Sequence, residues 1–301
     1  MQRTYLNLDA GESLFFNREL EYVLTRAQEV TYPELRARLF IPVSNEAGPG
    51  AESITYYQFD KVGMAKIIAD YASDLPRADV KGQKFTSPVE SLGISFGYSM
   101  QEVRAAALAQ RPLTTMKADA ARRAHEQLVD EIGAFGDATT GLTGFLNNAN
   151  VPAGSATTGS WSTATADQIL EDMNEAVTSI INTTRASEAP DTMGLPVAAY
   201  TLVNQRRIPD TNTTILRFFL ENNAWIRNID HWYRLDTAGA GSTARMVVYR
   251  RDPSKLELQI PQEFETMPVQ ERGLSFEVPT HSRVGGVTFY KPLSAVYRDG
   301  L

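Results

Sequence analysis

At 301 residues, with 43% hydrophobic and 22% charged side chains, the chain is an ordinary globular one, long enough for one large core or two smaller ones. Its 29 Lys and Arg against 36 Asp and Glu give a net charge of −7, which argues against a surface that wraps nucleic acid by neutralising phosphates. Cysteine is absent, so disulfides, thiolate nucleophiles and Cys-ligated metals are excluded, and an intracellular site of synthesis is the simpler expectation.

The opening MQRTYLNLDAGESLFF has no apolar core of the secretory kind, and no apolar run approaches a membrane span; a soluble chain is expected. Over residues 10–31, Phe16, Leu20, Val23, Ala27 and Val30 recur at 4-3-4-3 spacing, a one-sided helical stripe. That stripe must lie on its own core or on a neighbouring subunit. Pro33 ends it, LRARLFIPVSN reads as extended, and NEAGPGAES (45–53) breaks the chain. The next stretch opens with an aromatic β-rich run, Ile54 to Phe59, and closes with polar–apolar alternation, Val89 to Tyr98. With Gly63, Pro76, Gly82 and Pro88 between them, the two runs predict a two-stranded finger of roughly 45 residues, where ordinary hairpin loops span about 2–5. A lone ribbon has no interior to offset about 1–2 kcal/mol of backbone entropy per ordered residue, so something outside it must cover it.

Ser99 and Glu102 stand in capping-box register, and Pro112 interrupts the helix they start. LTTMKADAARRAHEQLVDEIGAFG then predicts a long amphipathic helix, with Leu113, Met116, Ala120, Ala124, Leu128, Ile132 and Phe135 as its buried stripe. FGDATTGLTGFLNNANV follows. Its glycines come after a helix, there is no Lys between Lys117 and Arg185, and Asp137 would repel an anion; Gly136 reads as a helix C-cap, not part of a phosphate loop. VPAGSATTGSWSTAT (151–165) reads as a polar linker. Thr165 and Gln168 form a second capping box before the stripe Ile169, Met173, Val177 and Ile180, in a helix reaching about Thr184. PDTMGLPVAAYTLVNQRR predicts a short strand and a helix opened by Pro196; another helix is expected over Thr214 to Glu221, and from Trp225 the chain is mainly β. No internal repeat is present.

Chemistry has little support. GISFG (93–97) fits the G-x-S-x-G nucleophile elbow, making Ser95 a remote hydrolase candidate, but SPVESLGIS is not the buried parallel strand an elbow follows. HEQLV at His125 has Val129 where a second zinc ligand belongs, so His125 is expected to be solvated on a charged helix face. Glu171 and Asp172 near a helix start, and Arg206 and Arg207 at a helix end, are explained by the helix dipole. Arg250 and Arg251 precede a turn, and none of these arginines has a base-stacking platform beside it. No catalytic residue, cofactor or metal ligand is assigned.

The order of elements resembles the tailed-bacteriophage major capsid proteins, whose architecture, often called the Johnson fold, is shared with encapsulins. ITYYQFDKVGMAKII…LPRADV and ESLGISFGYSMQEVRAA are similar to the limbs of the extended E-loop in that family. LTTMKADAARRAHEQLVDEIGAFGDATTGLTGFLNNANV resembles the P-domain spine helix and its following turn, APDTMGLPVAAYTLV an A-domain strand entering a helix, and GGVTFYKPLSAVYRDGL the returning terminal strands. The resemblance implies an α+β fold divided into an N-terminal arm (1–50), E-loop (51–98), P-domain (99–164), A-domain (165–270) and C-terminal strands returning to the P-domain (271–301). It implies a non-enzymatic subunit that self-assembles as pentamers and hexamers into an icosahedral virion capsid, put together in the host cytoplasm. Partners so implied are further copies of the chain, a separate scaffold protein, a portal, optional decoration proteins, and packaged double-stranded DNA held without sequence specificity, with no membrane involved. An encapsulin-type compartment is the alternative. Self-assembly contacts are expected at Phe16, Leu20 and Val23 of the arm and at Tyr56, Tyr57, Phe59, Lys61 and Lys66 of the finger. Some relatives cross-link E-loop lysines to C-terminal asparagines; no Asn occurs after Asn228 here, so no cross-linking is expected.

Overall fold

The computed structural model describes residues 32–62, 79–109 and 113–301. The chain divides into two units, 1–34 and 35–301. Of the first, only the irregular residues 32–34 are described; the helix expected over 10–31, with Phe16, Leu20 and Val23, lies outside the described residues, as does Lys66. All that follows concerns the second unit.

Its centre is a five-stranded sheet in the order Ala153–Ser155, Ala295–Asp299, Arg245–Tyr249, Thr192–Leu195, Asn228–His231. Because successive side chains of a strand point to opposite faces, two of the three inner strands, Ala295–Asp299 and Arg245–Tyr249, feed two different cores. Val247, Tyr249, Ala295 and Tyr297 enter the first, with Phe40, Ile41, Val129, Phe145, Trp232 and Phe289. Met246, Val248 and Val296 enter the second, with Trp161, Ile169, Met173, Val177, Ile180 and Phe219. All five residues of Arg245–Tyr249 are buried, as a strand covered on both faces must be.

The second core is roofed by the Ala166–Thr183 helix, which presents the expected stripe inward. Its capping box forms: Thr165 N–H donates to Gln168 Oε1 at 2.8 Å, and Gln168 N–H to Thr165 Oγ1 at 3.3 Å. The stretch read as a linker is instead anchored. Trp161 is fully buried, and its Nε1–H donates at 2.9 Å to Asp172, itself 3% exposed. The indole needs an acceptor once buried, so Asp172 is a structural partner rather than a dipole-balancing surface charge.

The first core is bounded by the 23-residue helix Leu113–Phe135. Its last carbonyls, orphaned by helix geometry, are satisfied by the glycine-rich segment folding back on them. Phe145 N–H donates to Gly133 O at 2.9 Å, Leu146 N–H to Ala134 O at 2.8 Å, and Asn147 Nδ2 to Phe135 O at 2.6 Å. Gly136 sits at φ +69 and begins a tight hairpin in which Gly136–Asp137 pairs with Leu142–Thr143. A Cβ at Gly136 would lie 2.1 Å from Leu142 O, whereas one at Gly159 (φ +77) would meet nothing within 4 Å. Gly159→Ala is therefore expected to cost about 1–2 kcal/mol, the left-handed penalty alone. Gly136→Ala must also displace backbone and should cost clearly more; thermal melting of the two variants, giving equal losses, would contradict this role.

The finger forms with a different return strand. Ser53–Val62 pairs antiparallel with Asp79–Pro88, from Ser53 opposite Pro88 to Val62 opposite Asp79. Gly82 and Pro88, expected at the tip, thus lie in the returning strand. Glu90–Ser99, expected to be that return, pairs instead with Ser275–Val284 along its whole length. Strands Gln262–Thr266 and Gln270–Arg272 complete that sheet on the far side of Ser275–Val284. The segment read as extended, LRARLF, contains one helical turn, Ala37–Phe40, before the short strand Val43–Ser44. Asp130 drives the turn, since its Oδ1 accepts from the N–H groups of Arg36 (3.0 Å) and Ala37 (2.9 Å).

Candidate assembly surfaces

The finger has two unlike faces. On one, Tyr56 is half-buried at the root: its ring stacks on Phe85 (5.1 Å) and meets Tyr290 edge-on (4.9 Å), and its hydroxyl donates to Phe289 O at 3.3 Å. Tyr56 therefore holds the finger to the body. The opposite face carries Tyr57, Phe59 and Lys61, with Val80, Gly82 and Lys84 directly across. Tyr57 is 62%, Phe59 65% and Val80 58% exposed. The Tyr57 and Phe59 rings stack at 6.4 Å, and Phe59 lies over Gly82, where a Cβ would come within 3.1 Å of the ring. The result is a flat apolar strip flanked by two lysines.

The second surface is on the long helix, where the expected stripe turns inward at its end, with Ile132 buried and Phe135 half-buried, but not at its earlier described positions. Ala121, His125, Val129, Ile132 and Gly133 face the subunit's own core. Met116, Ala120, Ala124 and Leu128, read from the sequence as buried, are exposed, Met116 by 52% and Leu128 by 43%. Apart from His125 both rows are apolar or small, and the core takes the row that includes Gly133, where a Cβ would stand 3.0 Å from Ala37. Met100–Ala109, started by the expected capping box (Ser99 N–H to Glu102 Oε2, 2.9 Å; Glu102 N–H to Ser99 Oγ, 3.1 Å), adds Val103 and the 89% exposed Leu108. Exposed apolar side chains in such number, uncovered by the described residues, mark an interaction site.

Ion pairs tie segments of the body that are far apart in the chain. Arg245 donates to Asp299 through Nε (2.6 Å) and Nη2 (2.8 Å), lies 4.5 Å over the Tyr297 ring, and donates through Nη1 to Leu146 O. Glu188 accepts from Lys255 (2.6 Å) and Lys291 (3.1 Å). Arg234 Nε reaches the buried Asp130 at 3.1 Å.

The catalytic alternative loses its geometry. Ser95 lies mid-strand opposite Pro279 in a regular antiparallel ladder, not at a strand-to-helix turn. The G-x-S-x-G pattern is part of Ser91, Gly93, Ser95, Gly97 and Ser99, the alternate positions of one strand. His125, expected to be solvated, is 5% exposed. Among the described residues no group of three or more His, Asp or Glu is arranged to hold a metal ion, and no helix is long and apolar enough to cross a membrane.

A two-core body with a projecting ribbon and an outward apolar helix face defines a subunit of a larger assembly. The chain belongs to the major capsid protein family, whose model matches residues 63–301. In fold it is similar to the capsid of Myoviridae phage XM1, with a TM-score of 0.84 at 20% identity over 94% of this chain and 98% of that one. It is also similar to Mycobacterium phage Ogopogo (0.64, 14%, 94% and 98%) and to a virus-like particle from Pyrococcus furiosus (0.55, 13%, 87% and 91%). No curated protein matches the chain.

Proposed function

We propose that this major capsid protein builds an icosahedral tailed-phage head from pentamers and hexamers around packaged double-stranded DNA, and that it does so without catalysis. The observation that carries the proposal is the pair of open apolar surfaces, the Tyr57–Phe59–Val80 strip and the Met116–Leu128 row. Neither has an occupant in its own subunit's described residues, and each is the kind of surface the other can cover. The finger of one copy lies over the long helix of the next, with Lys61 and Lys84 at the rim of the contact. Phe16, Leu20, Val23 and Lys66 are assigned to neighbouring contacts on the same reading. A net charge of −7 suits an inner wall to which packaged DNA does not adhere. A separate scaffold protein and a portal are the further partners this assembly calls for.

Replacing Met116 and Leu128 together by Glu is expected to leave the monomer's circular dichroism unchanged and to abolish shells. Normal shells in electron micrographs of that variant would contradict the helix's role. A cargo-holding compartment of the same fold is distinguished by the contents of purified particles, enzyme in place of DNA.

A further inference from the structure

Three elements meet at one buried imidazole. His125, on the inner row of the long helix, packs its ring 5.1 Å from Phe264, and its Nε2 shares a hydrogen bond with the Ser282 hydroxyl. Phe264 belongs to Gln262–Thr266 and the fully buried Ser282 to Ser275–Val284, so this contact closes the seam between helix and sheet. The charged groups that act on it are Glu126 on its own helix, Arg38 from the one-turn helix and Glu263 beside Phe264, and Arg122 acts in turn on Glu263. Nδ1 has no hydrogen-bond partner and faces Glu126 Oε1 at 3.9 Å. A bare lone pair there would repel the carboxylate, so the neutral ring carries its proton on Nδ1 and Nε2 accepts from Ser282 O–H. Glu126 is already engaged: Arg38 donates to it through Nε (3.1 Å) and Nη2 (3.3 Å), and to Glu263 through Nη1 and Nη2 (both 2.8 Å).

We propose that His125 is a proton-operated lock on this seam, closed when the ring is neutral and loosened when it takes up one proton. The added proton sits on Nε2. Ser282 then loses its acceptor inside a buried site and must turn its own hydrogen away. The new cation stands near Arg38, and the two carboxylates able to balance it are held by that same arginine. Burial pushes the imidazole below the ordinary histidine range, with Glu126 opposing and Arg38 adding to the effect. The unfolded chain, with its histidine near about 6.5, therefore binds the proton more readily than the folded one. The lock's contribution is complete above that value and falls as pH drops through it, by at most about tenfold per pH unit for one proton. The lock lies within a single subunit, and it sets how firmly the helix bearing the outer Met116–Leu128 row is tied to the sheet behind it.

The test follows amide exchange of the full chain from about pH 7.5 to about pH 5, expressed as protection factors, alongside C2–H exchange of the three histidines, which reports each ring's own titration. Protection of Ala121–Val129 and of the amides around Ser282 is expected to start falling near about 6.5, the value of the opened chain, and to level off once pH is below the His125 midpoint, which lies lower. His125→Gln, which cannot titrate, is expected to flatten the pH dependence at both places. Flat protection in the wild-type chain, a fall that continues unchanged below the His125 midpoint, or an unchanged fall in His125→Gln would overturn the proposal. In the wild-type chain alone, the point at which protection levels off, set against the His125 midpoint, decides the matter even if the variant does not fold.

Discussion

Replacing Tyr57 and Phe59 together by Asp is expected to yield a chain that folds as the wild type does and never closes a shell. The two rings are already solvent-exposed in the subunit, so their loss costs the monomer little. Covered by a neighbour, each contributes about 1.5–3 kcal/mol of burial, and the substitution also places two carboxylates against an apolar face. In the proposed assembly the loss recurs at every subunit, each copy giving one finger and receiving another. Sedimentation should find unassembled protein with a wild-type circular dichroism spectrum. Tyr56→Ala provides the contrast. It frees the finger's root from Tyr290 and should weaken assembly through a misdirected finger rather than through lost contact area. Closed shells from the Tyr57, Phe59 double variant would remove the finger from the account.

The second large effect is expected within the subunit. Arg245→Met strands the Asp299 carboxylate beside a buried apolar side chain, and breaking a buried pair from one side costs about 3–5 kcal/mol. At about 2–4 °C per kcal/mol for a chain of this class, the melting midpoint should fall by about 6–20 °C. Burial alone would raise the Asp299 pKa, but the bonds from Arg245 and from the Ala240 N–H outweigh it and hold the carboxyl below the usual aspartate range. A depressed carboxylate stabilises the fold above its unfolded value of about 3.9 and ceases to as pH falls below it. The wild-type chain should therefore lose more stability on acidification through that window than Arg245→Met does. Equal acid sensitivity would show that the pair contributes nothing net.

What the sequence made legible is what local rules decide. The capping boxes at Ser99–Glu102 and Thr165–Gln168, the Ile169–Ile180 stripe and the left-handed Gly136 all formed as expected, because each depends on residues within a few positions of one another. The pairing of Glu90–Ser99 with Ser275–Val284 joins segments far apart in the chain, and no turn chemistry links them. Trp161 was hidden in a run of Ser, Thr and Gly whose composition reads as linker, although one indole with one carboxylate partner suffices to bury it. His125 was misjudged for a related reason: its charged helical neighbours say nothing of the sheet that covers it. The departure on the long helix is the most instructive. A subunit that must satisfy both its own core and a neighbour carries two apolar rows on one helix, and amphipathic periodicity cannot say which row turns inward.

The most direct measurement is electron microscopy of the purified chain, paired with amide exchange over the finger. Closed shells are expected, with slow exchange over Ser53–Val62 and Asp79–Pro88, and fast exchange of those strands whenever the chain is dissociated. A stable monomer at high concentration, with the finger equally protected, would contradict the proposed assembly.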